Sequence, residues 1–381
     1  MAFRDAPEAV FDDGAKRIAK LMHPDRFALT ESKPDVLFFL SGGSEQLALE
    51  QVAPGHFYVL IGSQHDNAYS SATEVKACLN MMKIPSVLLD EEEDETAAFL
   101  NNYFMAKHAL ENLKGKKVGL IGQVSEWLIA SAVSSVLLKE KLGIELLEIP
   151  WNSLPHYSGC KASETFLRSF QEEKHFDLGE TAKVSQLLTD TIEKYKLDAI
   201  TVECFPMVNK DGVTACLPLA RFNDTGFPAG CEGDLTAIAG MMLCKELTGI
   251  VPWIANINKV TSNACMFSHC TIASGLVSDL TVRTHFETGK GTAIEGNFKS
   301  NTITIFRFDN KLGKAFIAVA GISSRPRSAT ACRTQIEVKL TENEVQLLGQ
   351  NPLGNHHLFF PGDCKELLQL ACLLLGIEVL N

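Results

Sequence analysis

Short apolar runs recur through the first 260 residues, and segments with a helical period separate them. The clearest lie at 36–40, 57–62, 84–89, 116–122 and 144–149, and another opens the stretch 198–206. Each is short and mainly apolar, and the run that opens 198–206 is rich in β-branched side chains, which marks buried strands. Strands that alternate with helices in this way build a parallel sheet. Beyond about residue 260 the pattern changes. Segments at 266–273, 279–286, 292–298, 302–308, 315–321 and 333–340 carry strand character, with turns such as 309–313 between them. The expected fold is therefore α/β: two doubly wound parallel-sheet (Rossmann-like) units, then a mainly antiparallel β domain, a barrel being one form of it. The expected domains are 1–155, 156–260 and 261–381, the last closed by a helix at 365–375.

The formal net charge of -11 argues against nucleic acid or an anionic membrane as a partner. No apolar run is long enough to cross a bilayer, and the first residues do not read as a signal peptide. Eleven cysteines are scattered without a CxxC pair. Such a set reads as reduced thiols, and so as a cytoplasmic chain.

The chemistry concentrates in acidic residues. Glu203 closes the apolar run 198–203, where open α/β sheets place their ligands. Glu232 and Asp234 stand in the turn 229–234, AGCEGD, just before a helical segment that ends at Gly249. Asp234 is a good N-cap for that helix, and Glu232 suits the positive end of its dipole. Capping explains Glu203 less well, because a carboxylate on a buried strand needs a partner or a cation. Three carboxylates at one sheet edge call for a counter-charge, which a divalent cation supplies.

Histidines add to this set. His269 lies in a strand near the start of the β domain, and His356 and His357 are adjacent before an apolar run. Neighbouring residues of a strand face opposite ways, so at most one of the latter pair enters a given site. Carboxylates with one imidazole suit Mn²⁺ or Mg²⁺ better than Zn²⁺. Loops after strands offer polar contacts: Gln64, His65 and Asp66 after the second strand, and Trp127 after the run 116–122. Arg221 and Asn223 stand in a polar stretch, 216–228, that reads as a loop.

Taken together, Glu203, the CEGD turn ending at Asp234, SHC at 268–270, and GNHH at 354–357 with FPGD at 360–363 resemble the L-fucose/L-arabinose isomerase superfamily. The chain is most similar to its shorter, fucose-isomerase-like members. The resemblance implies a Mn²⁺-type ion (or Mg²⁺ or another divalent cation) and interconversion of an aldose and a ketose through an enediol. It implies that Glu203 and Asp234 bind the metal and shuttle protons, and that His356 is the histidine ligand. Glu232, His269 and His357 are further candidates for the shell. It also implies a homo-oligomer, a trimer or hexamer, in which loops such as 64–66 and the one bearing Trp127 cover a neighbour's site. The rival readings are a non-catalytic sugar-binding α/β module and a metal-dependent aldolase or lyase.

Overall fold

The computed structural model describes residues 1–30 and 32–380. The chain forms two compact units, Met1–Met105 and Ala106–Asn381. The first holds a parallel sheet of β1 (Val36–Phe39), β2 (Tyr58–Gly62) and β3 (Ser86–Asp90), in the order β1-β2-β3. All five residues of the central strand are buried. The helix Ala68–Met81 joins this core through Ala68, Ala72, Val75 and Leu79, spaced at a helical period.

The second unit begins with four parallel strands: β4 (Lys117–Ile121), β5 (Glu145–Ile149), β6 (Ala199–Val202) and β7 (Ala229–Cys231). Their order is β5-β4-β6-β7. The chain steps outward from β4 to β5, then returns to the other side of β4 for β6 and β7. The strand order thus reverses between β4 and β6, and the carboxyl ends of strands at such a point are where sheets of this kind bind ligands.

Nine further strands follow among the described residues: β8 (Trp253–Val260), β9 (Ala264–His269), β10 (Val277–Arg283), β11 (Ala293–Phe298), β12 (Thr302–Phe308), β13 (Lys314–Ser324), β14 (Thr334–Lys339), β15 (His356–Pro361) and β16 (Glu378–Leu380). Six of them close an antiparallel barrel in the order β12-β15-β8-β9-β14-β13, sealed by pairing of β13 with β12. β16 adds in parallel to β13, while β10 and β11 form a separate ribbon. Trp253, Phe267, Phe316, Ile336 and Phe359 belong to the apolar core of this region. The Trp253 indole N–H donates to the Thr271 carbonyl at 2.8 Å, so its one polar atom is satisfied.

The helix Leu235–Thr248 links the parallel sheet to the barrel. Eleven of its 14 residues are buried. A Cβ on Gly240 would come within 2.6 Å of Leu358 Cδ1, so this glycine lets the helix lie close against β15. Leu358 and His356 share one face of β15, towards the helix. His357 and Phe359 share the other, and the His357 ring lies among Phe267 and Phe316, at centroid distances of 5.9 and 5.7 Å.

The structure departs from the sequence expectation in four places. The boundary expected at 155/156 would separate β4 and β5 from β6 and β7, which share one sheet. The run 251–256, which reads as a further strand of the central α/β unit, enters β8 at Trp253, and β8 pairs antiparallel with β9 and β15 as part of the barrel. The stretch 216–228 is not all loop. It contains the helix Cys216–Asp224, whose Pro218 sits in the first turn, where no backbone donor is required. The segment 128–142, which by its sequence reads as one helix, is helical only over Ser135–Leu142, capped by the Ser134 hydroxyl at Leu137 N, 3.2 Å. In the loop before it, the Ser131 carbonyl accepts from the Leu235 and Thr236 amides at 3.1 and 3.3 Å. It thereby satisfies two donors at the start of the linking helix.

His357 is fully buried, and its Nε2 has no hydrogen-bond partner among the described residues. Burial, aided by the nearby Arg307 charge, pushes its pKa from 6.5 down to about 3. A histidine depressed in this way supports the fold fully above 6.5 and loses that support as pH falls towards 3. His357→Leu should therefore stay within about 1.5 kcal/mol of the parent at neutral pH. It should resist acid better, which urea titrations on either side of that window would reveal.

Candidate metal centre

β6 and β7 pair with Val202 opposite Cys231, so Glu203 and Glu232 leave the sheet as neighbours. Adjacent strands are about 4.8 Å apart, which brings the two acids to one edge. The Glu203 amide still donates to Ile121 O at 2.8 Å, extending the sheet by one bond. Its carboxylate Oε2 accepts from the Gln123 amide at 3.1 Å, and its carbonyl accepts from Trp151 Nε1 at 3.1 Å. Gly122 has φ +86°, and a Cβ there would lie 2.4 Å from Glu203 Oε2 and 2.6 Å from the Trp151 nitrogen. Only glycine leaves room for this carboxylate.

Glu232 occupies a left-handed backbone conformation, φ 62°, which few non-glycine residues adopt. Strain of this kind, on the order of 1–3 kcal/mol, gathers at functional sites. Here it aims the carboxylate at two imidazoles. Glu232 Oε1 lies 3.7 Å from His269 Nε2 and 3.7 Å from His356 Nε2. The ligating atoms of the three side chains all lie within 4.8 Å of one another. Trp127 Nε1 donates to the other Glu232 oxygen at 2.6 Å and fixes its orientation.

Asp234 has no exposed surface, and both its oxygens are occupied. Oδ1 accepts from Ala237 N and Thr236 Oγ1, both at 2.7 Å, and so caps the linking helix. Oδ2 lies 3.0 Å from His356 Nδ1 and 3.7 Å from Arg307 Nη1. The carboxylate thus holds a proton on His356 Nδ1 and turns Nε2 towards Glu232. Arg307, itself buried, donates to the His356 carbonyl and, at 3.0 Å, to Ser131 Oγ. No carboxylate stands behind His269 among the described residues; its Nδ1 accepts from the Thr271 amide at a long 3.4 Å.

The electrostatics follow from burial and pairing. Burial lowers the His356 pKa, but Glu232 and Asp234 outweigh it and hold the imidazole up to about 9. Burial raises Glu232, yet the two imidazoles keep it well below the usual carboxylate range. Asp234, also opposed by burial, is held low by His356 and Arg307. His269 is pushed below the usual imidazole range by burial. His285 reaches about 4, through burial and then the His269 charge. It stands beyond the cluster on the far side of Phe205, whose ring contacts both His285 and Trp127 edge to face.

A divalent ion fits this donor set. His356 Nε2 is buried and has no hydrogen-bond partner among the described residues, and one carboxylate with two imidazoles is a common ligand set for divalent transition metals. Asp234, expected as a ligand, stands behind one instead, and Glu232 takes the forward position. Glu203 lies beside the cluster but outside the three-residue group. Asn223 is committed elsewhere: its amide bonds both to Ala229 O (3.0 Å) and from Ala229 N (2.7 Å), fastening the start of β7. Arg221 is half-buried on the same helix. Gln64, His65 and Asp66 are exposed on a loop of the first unit, with His65 Nε2 3.2 Å from Glu92.

Sequence reasoning passed over Arg307 and His285. Arg307 carried a signal, since a charged residue inside the run TITIFRF must find a buried partner. No protein-family model matches the chain, and a search of curated proteins returns no significant match.

Calorimetry with Mn²⁺ should find one ion per chain. Asp234→Asn should weaken it by about 10–100-fold, the usual effect of losing the carboxylate behind a ligating imidazole. Because His356 keeps its proton up to about pH 9, an ion must displace it. Affinity should then rise with pH, by about tenfold per unit, until that point is reached.

Proposed function

We propose that the chain is a divalent-metal-dependent aldose–ketose isomerase acting on a small, fucose- or arabinose-like sugar. One observation carries this reading: Glu232, His269 and His356 converge beside Glu203 at the carboxyl edge of a parallel sheet. A doubly wound, Rossmann-like description of that sheet agrees with a ligand at the carboxyl ends of β4 and β6. An ion held by Glu232, His269 and His356 would supply Lewis-acid polarisation of two adjacent sugar oxygens, and the two imidazoles favour a Mn²⁺-like transition ion over Mg²⁺.

The protein's own residues do the rest. Glu203 is the proposed base. Its Oε2 is steadied by the Gln123 amide, while Oε1 has no hydrogen bond among the described residues and is free to accept a proton. Taking the proton from one carbon and returning it to its neighbour passes the substrate through an enediol. Asp234 keeps His356 in the tautomer that presents Nε2, and Trp127 Nε1 keeps Glu232 turned towards the imidazoles. The Trp127 ring, 54 % exposed, offers an apolar face to a sugar.

The Mn²⁺-loaded protein should convert at least one pentose or 6-deoxyhexose aldose to its ketose. In D₂O, solvent deuterium should appear at C1 of the ketose or at C2 of the aldose formed in reverse. Glu203→Gln should keep the ion yet lose about 10²-fold or more in kcat. A loaded protein that converts no aldose would end this reading. Near-normal turnover by Glu203→Gln would remove Glu203 from the role of base.

A further inference from the structure

All eleven cysteines are free thiols, and two of them meet directly behind the metal centre. Cys204 Sγ and Cys231 Sγ are 3.3 Å apart. Both are 2 % exposed and packed with Val202, Met207 and Leu219. Each is bonded in the chain to one of the site's acids: Cys204 follows Glu203, and Cys231 precedes Glu232. The pairing of Val202 with Cys231 sets this contact, and Cys204 stands at the start of the helix Phe205–Asp211. We propose that Cys204 and Cys231 are a modification site, a thiol pair that peroxide oxidises to a disulfide, and that the bond weakens ion binding at the neighbouring centre.

The argument is one of distance and constraint. A disulfide needs its sulfurs about 2.05 Å apart, so the pair must close by roughly 1.3 Å. Such a shift is within reach of side-chain rotation and a small movement of the strand end. It is not free of consequence, because Glu232 follows Cys231 in a left-handed conformation, held by Ser125 N on its carbonyl and Trp127 on its carboxylate. Movement of Cys231 therefore reaches Glu232, whose Oε1 faces both imidazoles.

The chemistry balances with hydrogen peroxide as the oxidant. One thiol sulfur attacks a peroxide oxygen; an S–O bond forms, the O–O bond breaks, and water leaves. The second thiol attacks that sulfur, the S–S bond forms, the S–O bond breaks, and a second water leaves. The pair gives up two electrons and two protons, and the peroxide is reduced to two waters. Burial keeps bulky thiol reagents from the pair, whereas hydrogen peroxide is close to water in size.

The test uses the full chain. Wild type is exposed to hydrogen peroxide, quenched with catalase, alkylated and digested, and half of the sample is titrated with Mn²⁺. The expected result is a peptide linking Cys204 to Cys231, lighter by two hydrogens than its reduced parts. Mn²⁺ affinity should fall by about tenfold or more, the scale for disturbing what orients a ligand. A phosphine reductant should restore it. Cys204→Ser and Cys231→Ser should form no link and keep their affinity through the same treatment. Absence of the link in wild type overturns the proposal, and so does a link that leaves affinity unchanged. The loss of affinity rests on the reading of the centre. A reduced protein that binds no Mn²⁺ removes that reading and the coupling with it, while the peptide mass still decides the thiol pair.

Discussion

The contact between the Asp234 carboxylate and the His356 imidazole joins the two halves of the second unit. Asp234 comes from the turn after the parallel sheet, and His356 is the first residue of a barrel strand. Neither is exposed to solvent beyond 1 %. An isolated carboxylate could not remain charged in such a place. This one is surrounded by the donors it needs: an imidazole, a guanidinium, a hydroxyl and a helix-capping amide. Removing one partner of a buried set like this typically costs about 3–5 kcal/mol, because the remaining charge is stranded. The sheet and the barrel are thus held in register by the same group that orients the imidazole.

That arrangement explains why a backbone strain and a buried arginine are tolerated. Glu232 must turn through a left-handed conformation to reach the two imidazoles, and Gly233 beside it must be a glycine. A Cβ there would lie 2.3 Å from the Gln123 carbonyl. Arg307 compensates Asp234 and also ties the His356 carbonyl to the 130–131 loop. The loop in turn caps the helix that Asp234 begins. Each group limits the freedom of the next, and the outcome is a forward face of one carboxylate and two imidazoles.

Much of the fold is legible in the sequence, because it follows from periodicity. The strands 36–39, 58–62, 117–121 and 145–149 lie within the runs that predict them, and 86–90 passes the end of its run by one residue. The change of character near 260 marks the barrel. What is missed has physical causes. The helix that ends at Gly249 is itself legible, but it is apolar almost all round, so its role as a bridge is hidden. β8 and β15 carry no mark of belonging to one barrel, since sequence-distant pairing leaves no local trace. The site is partly legible: Glu203, Glu232, Asp234, His269 and His356 stand out by residue type and position. Their division of labour does not, for Asp234 and Glu232 are two residues apart, and backbone φ decides which of them faces forward. The opposite orientation of His356 and His357 was legible, as strand alternation requires.

The account stands on one claim, that Glu232, His269 and His356 share a single ion. Pulsed electron–nuclear spectroscopy of the Mn²⁺-loaded protein tests it most directly, since it reads nitrogen bound to the metal. Two inequivalent imidazole nitrogens are expected in wild type, and one after His269→Gln. Bound Mn²⁺ without any nitrogen coupling would place the ion on carboxylates elsewhere and contradict the account.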